Sequence, residues 1–109
     1  MAAAGYLKAR GYRIWKTNWR WGKRELDLVA THRNELVIVE VKSRVGNAVN
    51  DPRVVVDSLK ERNIILAAEA FIRLHACSYP TRFDVIEVIY SNSGMEIEHM
   101  ENAFYPAVE

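Results

Sequence analysis

Apolar and polar positions follow two different rhythms along this chain, and the switches between them mark its elements. Residues 2–10, "AAAGYLKAR", read as a helix with Gly11 as its left-handed stop. "YRIWKTNW" then alternates apolar and polar side chains, the period of a strand, and "RWGK" reads as a turn. "ELDLVAT" and "ELVIVEVKS" are two further strands separated by "HRN", in which Asn34 is a good turn former. "RVGNAVNDPR" is a polar loop bearing Gly and Pro. From Ser58 to about His75 the pattern predicts the main helix, opened by a Ser58/Glu61 capping box. Its candidate apolar positions are Leu59, Ile65 or Leu66, Phe71 and Leu74. "SYPT" breaks that helix, "RFDVIEVIY" is a strand rich in β-branched residues, "SNSG" a turn and "MEIEHM" a short alternating strand. The tail "ENAFYPAVE" is expected to pack Phe104 and Tyr105 and then fray. The order α-β-β-β-α-β-β over residues 1–109 predicts a single α/β or α+β domain, with helices packed on a mixed sheet.

One strand breaks its own pattern. "LVIVEVKSR", residues 36–44, starts as buried core and then places Glu40, Lys42 and Arg44 on alternate positions. Charges are expensive to bury, so this end of the strand either emerges into solvent or serves a task. A two-residue turn at Arg33-Asn34 sets Asp27 opposite Glu40 and Glu25 opposite Lys42, gathering four ionisable side chains on one face. A three-residue turn would instead put Asp27 and Glu40 on opposite faces. Carboxylates facing each other at about 5 Å repel, which a fold built only for stability avoids. A divalent cation removes the objection, because Mg²⁺ takes hard oxygen ligands from one or two carboxylates plus water and phosphate. Lys42 can then hold or deprotonate the attacking water, or stabilise charge developing on the phosphate. The plainer account is an exposed strand end whose charges pair with neighbours, since an isolated E-x-K is common.

Charge distribution adds to this picture. The net charge is only +1, yet residues 1–44 hold ten Lys or Arg against four acids, and residues 45–109 hold five against ten. A polyanion-facing N-terminal half would gain affinity by releasing counterions from phosphates. Five of the eleven aromatic residues, Tyr6, Tyr12, Trp15, Trp19 and Trp21, lie in the same basic half and suit either base stacking or a core. Arg20, Lys23, Arg24 and Arg44 are the bases assigned here to nucleic-acid backbone. Lys60 and Arg62 join them, since backbone N–H groups at the start of the long helix favour phosphate. Arg82 and Asp84 could orient one another at a strand entrance, and His32, His75 and His99 read as surface or structural.

Other classes are excluded or weakened. No run of about 18 apolar residues is present, so no membrane span is expected. The apolar start is interrupted too soon by Lys8 and Arg10 for a signal peptide, and Cys77 stands alone, so a reducing cytoplasm is the expected compartment. No glycine-rich phosphate loop is present.

"NWRWGKRELDLVA" followed by "ELVIVEVKSR", "RFDVIEV" and "IEHMENAFYP" resembles the YraN family of small bacterial proteins, from Ala3 to Pro106. That family is described as endonuclease-like, with distant similarity to archaeal Holliday-junction resolvases. The resemblance implies the restriction-endonuclease-like (tRNA-endonuclease-like) core of the PD-(D/E)xK superfamily, an α/β fold whose mixed sheet is flanked by helices. By position, Asp27 matches the superfamily's first catalytic Asp, and Glu40 and Lys42 match its E-x-K. Glu25 matches the family's preceding acid, Arg44 its following base, Lys60 the lysine opening the long helix, and Arg82 with Asp84 its R-F-D strand. Many members have Gly where this chain has Arg24, and commonly a "GE" whose glutamate falls just ahead of Met1. The resemblance implies a Mg²⁺- or Mn²⁺-dependent endonuclease acting on DNA more than RNA, on branched or structured substrates, with a homodimer suited to two strands. The alternatives are a nucleic-acid-binding module of the same fold without catalysis, and an interaction protein whose hairpin charges are ion pairs.

Overall fold

The computed structural model describes residues 1–46 and 58–105. Its elements run α1 (Ala2–Ala9), β1 (Arg13–Trp21), β2 (Arg24–His32), β3 (Glu35–Val45), α2 (Ser58–Leu74), β4 (Thr81–Ser91) and β5 (Gly94–Phe104), the order expected. The five strands form one sheet in chain order, with β3 and β4 parallel and the other neighbours antiparallel. A parallel pair needs a crossover, and α2 supplies it between β3 and β4. The loop expected around "RVGNAVNDPR" lies mostly outside the described residues, as do the residues ahead of Ser58 and the last four of the tail. Among the described residues no helix is long and apolar enough to cross a membrane.

Each face of the sheet carries one helix. Ile64, Ala67, Ala68 and Phe71 of α2 pack on Val29, Leu36, Ile38, Phe83 and Val85. Ala3, Ala4 and Leu7 of α1 pack on Leu28, Ala30, Val37, Val39, Ile86 and Val88 on the other side. Burial on both faces explains why β3 and β4 read as continuous apolar runs rather than alternating ones. The buried stripe of α2 at 64, 67, 68 and 71 has the helical spacing expected of a core face. Leu59 and Leu74, expected among the apolar anchors, fall outside that stripe and are 70% and 67% exposed.

Turn chemistry fixes the geometry around the site. α1 ends in a Schellman motif: Tyr12 N–H donates to the Leu7 carbonyl (3.0 Å), Gly11 N–H to that of Lys8 (3.1 Å), and Gly11 takes φ 88°. Arg33 and Asn34 have φ 50° and 63°, the double left-handed conformation that closes a two-residue hairpin. That closure sets the register His32↔Glu35 through Leu28↔Val39.

Two strands depart from regular alternation. β1 shifts register between Ile14 and Lys16, and Asn18 takes φ 50°. β5 runs much longer than "MEIEHM", because its alternation is broken by a register shift opposite Asp84, where Asn102 takes φ 51°. Beyond it Phe104 is buried, whereas Tyr105, expected to pack, is 70% exposed.

Candidate active site

The hairpin register carries Asp27 and Glu40 to the α2 side, one step past the Leu28↔Val39 pair. There the backbone ladder gives way to a side chain: Val41 N–H donates to Asp27 Oδ2 at 2.9 Å. Asp27 is half-buried and Glu40 only 4% exposed, beneath the first turn of α2. Lys60 of that turn places its Nζ 2.6 Å from Glu40 Oε1. The hairpin acids open into a cavity of about 470 Å³. Glu25, Asp27 and Glu40 line one side of it, Lys23 and Arg24 the entrance to β2, and Lys60 and Asn63 the α2 side.

The two acids disturb one another. Burial pushes the Glu40 carboxyl up to about 7; its hydrogen bond and charge interaction with Asp27 push the same way, and Lys60 opposes them. A carboxyl poised near neutrality beside a second carboxylate is the arrangement that one proton, or one cation, resolves. Asp27 retains an oxygen beyond the one taken by Val41 N–H, Glu40 lies next to it, and Glu25 lines the same cavity. Glu25, paired with Arg20, does not close with the other two into a cluster of three. The donor set is therefore the Asp27/Glu40 pair beside open space, which suits Mg²⁺ or Mn²⁺ because these ions take one or two carboxylates and keep several waters.

The expected patch of four needs correction. Lys42 follows Glu40 on the same face but does not line the cavity; it stands beside Glu87 of β4. β3 has left the hairpin by that point and continues as the partner of β4, so its charges answer to that strand. Glu87, 3% exposed, is ion-paired with Arg44, which is therefore occupied. Glu25 does not answer Lys42 either: it pairs across β1 with Arg20 at 3.2 Å. Arg24 donates through Nε to Asn63 Oδ1 at 3.3 Å and lies over the Trp21 ring at 5.6 Å. Arg62 is exposed on α2. Sequence reasoning passed over Asn63 and Glu87. Asn63 lies one helical turn from Lys60, and Glu87 interrupts an apolar strand just as Glu40 does.

A second charged network occupies the α1 side. Arg82 Nε and one terminal nitrogen reach both oxygens of the fully buried Asp84 at 2.9 Å each. Arg82 also donates to Glu35 (3.2 Å) and to the Tyr12 hydroxyl (2.7 Å). His99 Nε2 lies 2.7 Å from Asp84, and Asn102 N–H donates to it at 3.1 Å. Burial alone would raise the Asp84 carboxyl; hydrogen bonds from His99, Arg82 and the Asn102 N–H outweigh it and hold the carboxyl below its ordinary value. Asp84, His99 and Glu101 offer ligand atoms within 4.8 Å of one another, the one such cluster of three among the described residues. Arg82 already supplies their positive charge. The mutual orientation of Arg82 and Asp84 expected from sequence is present, and His99 is structural.

The "Uncharacterised protein family UPF0102" model matches residues 1–88. A UPF0102 protein of Phocaeicola vulgatus is 42% identical over 106 residues, 97% of this chain and 88% of the relative. One from Bacteroides thetaiotaomicron is 46% identical over 105 residues, 96% and 87% of the two chains. One from Porphyromonas gingivalis is 45% identical over 104 residues, 94% and 77%. On this agreement of motifs, fold order and relatives, the chain belongs to the UPF0102 family, which is the YraN family.

Proposed function

We propose that this protein is a Mg²⁺- or Mn²⁺-dependent endonuclease that hydrolyses phosphodiester bonds in DNA, with branched or structured DNA as the preferred substrate class. The observation that carries the reading is the pair Asp27 and Glu40, held together at one cavity with Glu40 shifted to about 7 and ringed by Lys23, Arg24 and Lys60. Asp27 and Glu40 would hold the ion, with Glu25 as an auxiliary acid. A bound ion there supplies Lewis acidity toward a phosphate oxygen and an acidified water. The protein's own groups do the rest. Lys60 sets the charge of Glu40 and faces an incoming phosphate, while Lys23, Arg24 and Arg20 line the approach of the backbone. Lys42 stays a candidate second cation at the margin of the groove. A two-fold dimer would present two such grooves to two strands.

The Lys60–Glu40 ion pair favours a second reading, a nucleic-acid-binding module of the same fold that needs no ion, because Lys60 already compensates one carboxylate. One experiment separates them. Labelled linear, flapped and four-way-junction DNAs are incubated with Mg²⁺ or Mn²⁺ and with wild type, Asp27→Asn or Glu40→Gln. Cleavage lost in both variants while salt-sensitive binding persists upholds the nuclease. Binding without cleavage in any protein upholds the binder.

A further inference from the structure

On the α1 side of the sheet, away from the carboxylate groove, a second cavity of about 440 Å³ opens near the β2–β3 turn. Tyr6, Arg10, Tyr12, His32, Arg33 and Glu101 line it, together with His99, whose Nε2 is held by Asp84 at 2.7 Å. Flat groups are already arranged there as planes. Tyr12 and His32 stack with centroids 3.9 Å apart and 8° between rings, and the Arg10 guanidinium lies 3.6 Å over the Tyr6 ring. Tyr12 is fixed from behind, its hydroxyl accepting from Arg82 at 2.7 Å and donating to Glu101 at 3.3 Å.

Two observations distinguish this cavity from ordinary packing. The first is Arg33, the leading residue of the turn, at φ 50°. A left-handed turn position is held with less strain by Gly, Asn or Asp, and strained residues cluster at binding sites. Arg33 makes no ion pair with any described residue, so no internal contact accounts for an arginine at that strained place. The second is how charge is shared out. Arg82 is spent on Asp84, Glu35 and Glu101, leaving Arg10 and Arg33 as the cations of the mouth. The mouth thus offers two guanidinium groups, flat rings and one carboxylate.

Each feature matches one part of a nucleotide. Guanidinium groups suit phosphate; aromatic rings and guanidinium planes suit a base; a carboxylate accepts from an exocyclic amine. We propose that this cavity is a nucleotide-binding subsite, taking one unit with its phosphate on Arg10 and Arg33 and an amino-bearing base against the half-buried His32, which the buried Tyr12 backs, beside Glu101. The subsite lies on the opposite face of the sheet from the hairpin acids and does not depend on hydrolysis there. The unit can arrive as a free nucleotide or as part of a single strand, and the two sources are separable.

The test uses the full chain at low salt in EDTA, so that cleavage plays no part. Adenosine and thymidine 5′-monophosphates, and short homopolymeric strands of each base, are titrated while backbone amide NMR signals are followed. Shifts should centre on Tyr6, Tyr12, His32 and Arg33 rather than on the groove, with adenine-bearing ligands binding more tightly than thymine-bearing ones. Arg33→Asn suits the left-handed turn and preserves the fold; it should weaken binding about fivefold or more without lowering Tm. Arg10→Gln should do the same, and Glu101→Gln should narrow the adenine–thymine gap. Binding of monophosphates that depends on Arg33 assigns the subsite to free nucleotides; Arg33-dependent binding of strands alone assigns it to nucleic acid. Shifts confined to the groove, no binding, or binding indifferent to Arg33→Asn and Arg10→Gln would overturn the proposal.

Discussion

Asp27 Oδ2 accepts the backbone N–H of Val41 at 2.9 Å, so the acid proposed to hold an ion also closes the hairpin where its ladder stops. The two jobs can be separated by substitution. Asp27→Asn keeps a side-chain acceptor for Val41 and removes the charge, so its stability should stay within about 1 kcal/mol of wild type. Asp27→Ala leaves that N–H without its partner and should cost about 1–2 kcal/mol more. On the proposed reading Mn²⁺ should raise the Tm of wild type, and both variants should abolish that rise. Thermal unfolding with and without Mn²⁺ reads all of these; a Mn²⁺-dependent rise that survives in Asp27→Asn would place the ion elsewhere.

The elevated Glu40 carboxyl predicts an unusual pH dependence. Its ordinary value is 4.5 and its native value about 7, so between those the folded state binds the extra proton. Stability contributed by this group is therefore full below about pH 4.5, falls as pH rises toward 7, and stays lower above. Glu40→Gln removes the penalty, so without metal it should be more stable than wild type at pH 8 and equal to it near pH 4.5. Metal binding requires the carboxylate, so apparent Mn²⁺ affinity of wild type should climb through about pH 7 and then level off, with proton release. Calorimetry in two buffers of different ionisation enthalpy checks the released proton.

Lys60, rather than Lys42, touches the acid at the site, and the two lysines should separate in a titration. Lys60 pulls the Glu40 carboxyl downward, so Lys60→Met should send it above its wild-type value of about 7. Lys42→Met should leave it in place, because Lys42 lies in register with Glu87 and the groups acting on the Glu40 carboxyl are Asp27 and Lys60. Carboxyl ¹³C NMR of the two variants decides between them. Equal effects would return Lys42 to the cavity.

The hairpin was legible from the sequence because its geometry depends on a few local choices. A run of apolar residues ending in Glu40, and Asn34 at the turn, narrowed the pairing to a two- or a three-residue turn. The left-handed Arg33-Asn34 pair selects the register that puts Asp27 beside Glu40. Lys42 was misplaced because its surroundings are set by β4, which lies across a parallel crossover and contributes Glu87. Neither the distance to β4 nor its register is written in residues 36–44. β5 was read too short for a related reason. Asp84 captures the Asn102 N–H and the strand bulges there, interrupting the alternation by which strands are recognised. In α2 Phe71, expected as an anchor, does pack on the sheet. Its neighbours in the stripe are Ile64 and the small residues Ala67 and Ala68, whose weak apolar signal left the larger Leu59 and Leu74 to draw attention to the wrong face.

The Arg82–Asp84 pair should prove structural, and its pH signature should oppose that of Glu40. Both partners lie deep on the α1 side, Asp84 fully buried and Arg82 8% exposed, with His99 and Asn102 completing the shell around the carboxylate. Removing one charge strands the other, so Asp84→Asn and Arg82→Met should each cost about 3–5 kcal/mol. Removing both leaves neither charge stranded, so the double variant should be less damaged than the sum of the singles, a coupling that a double-mutant cycle in urea measures. The Asp84 carboxyl is held below its ordinary value of 3.8, so its contribution is present above that pH and lost as pH falls through the lowered native value. Wild type should therefore lose stability in acid more steeply than Asp84→Asn. The Mn²⁺-dependent Tm rise, measured below each variant's own unfolding temperature, should survive in Asp84→Asn, because the hairpin acids sit on the other face of the sheet. Loss of that rise in a folded Asp84→Asn protein would move the ion to the Asp84, His99 and Glu101 cluster instead.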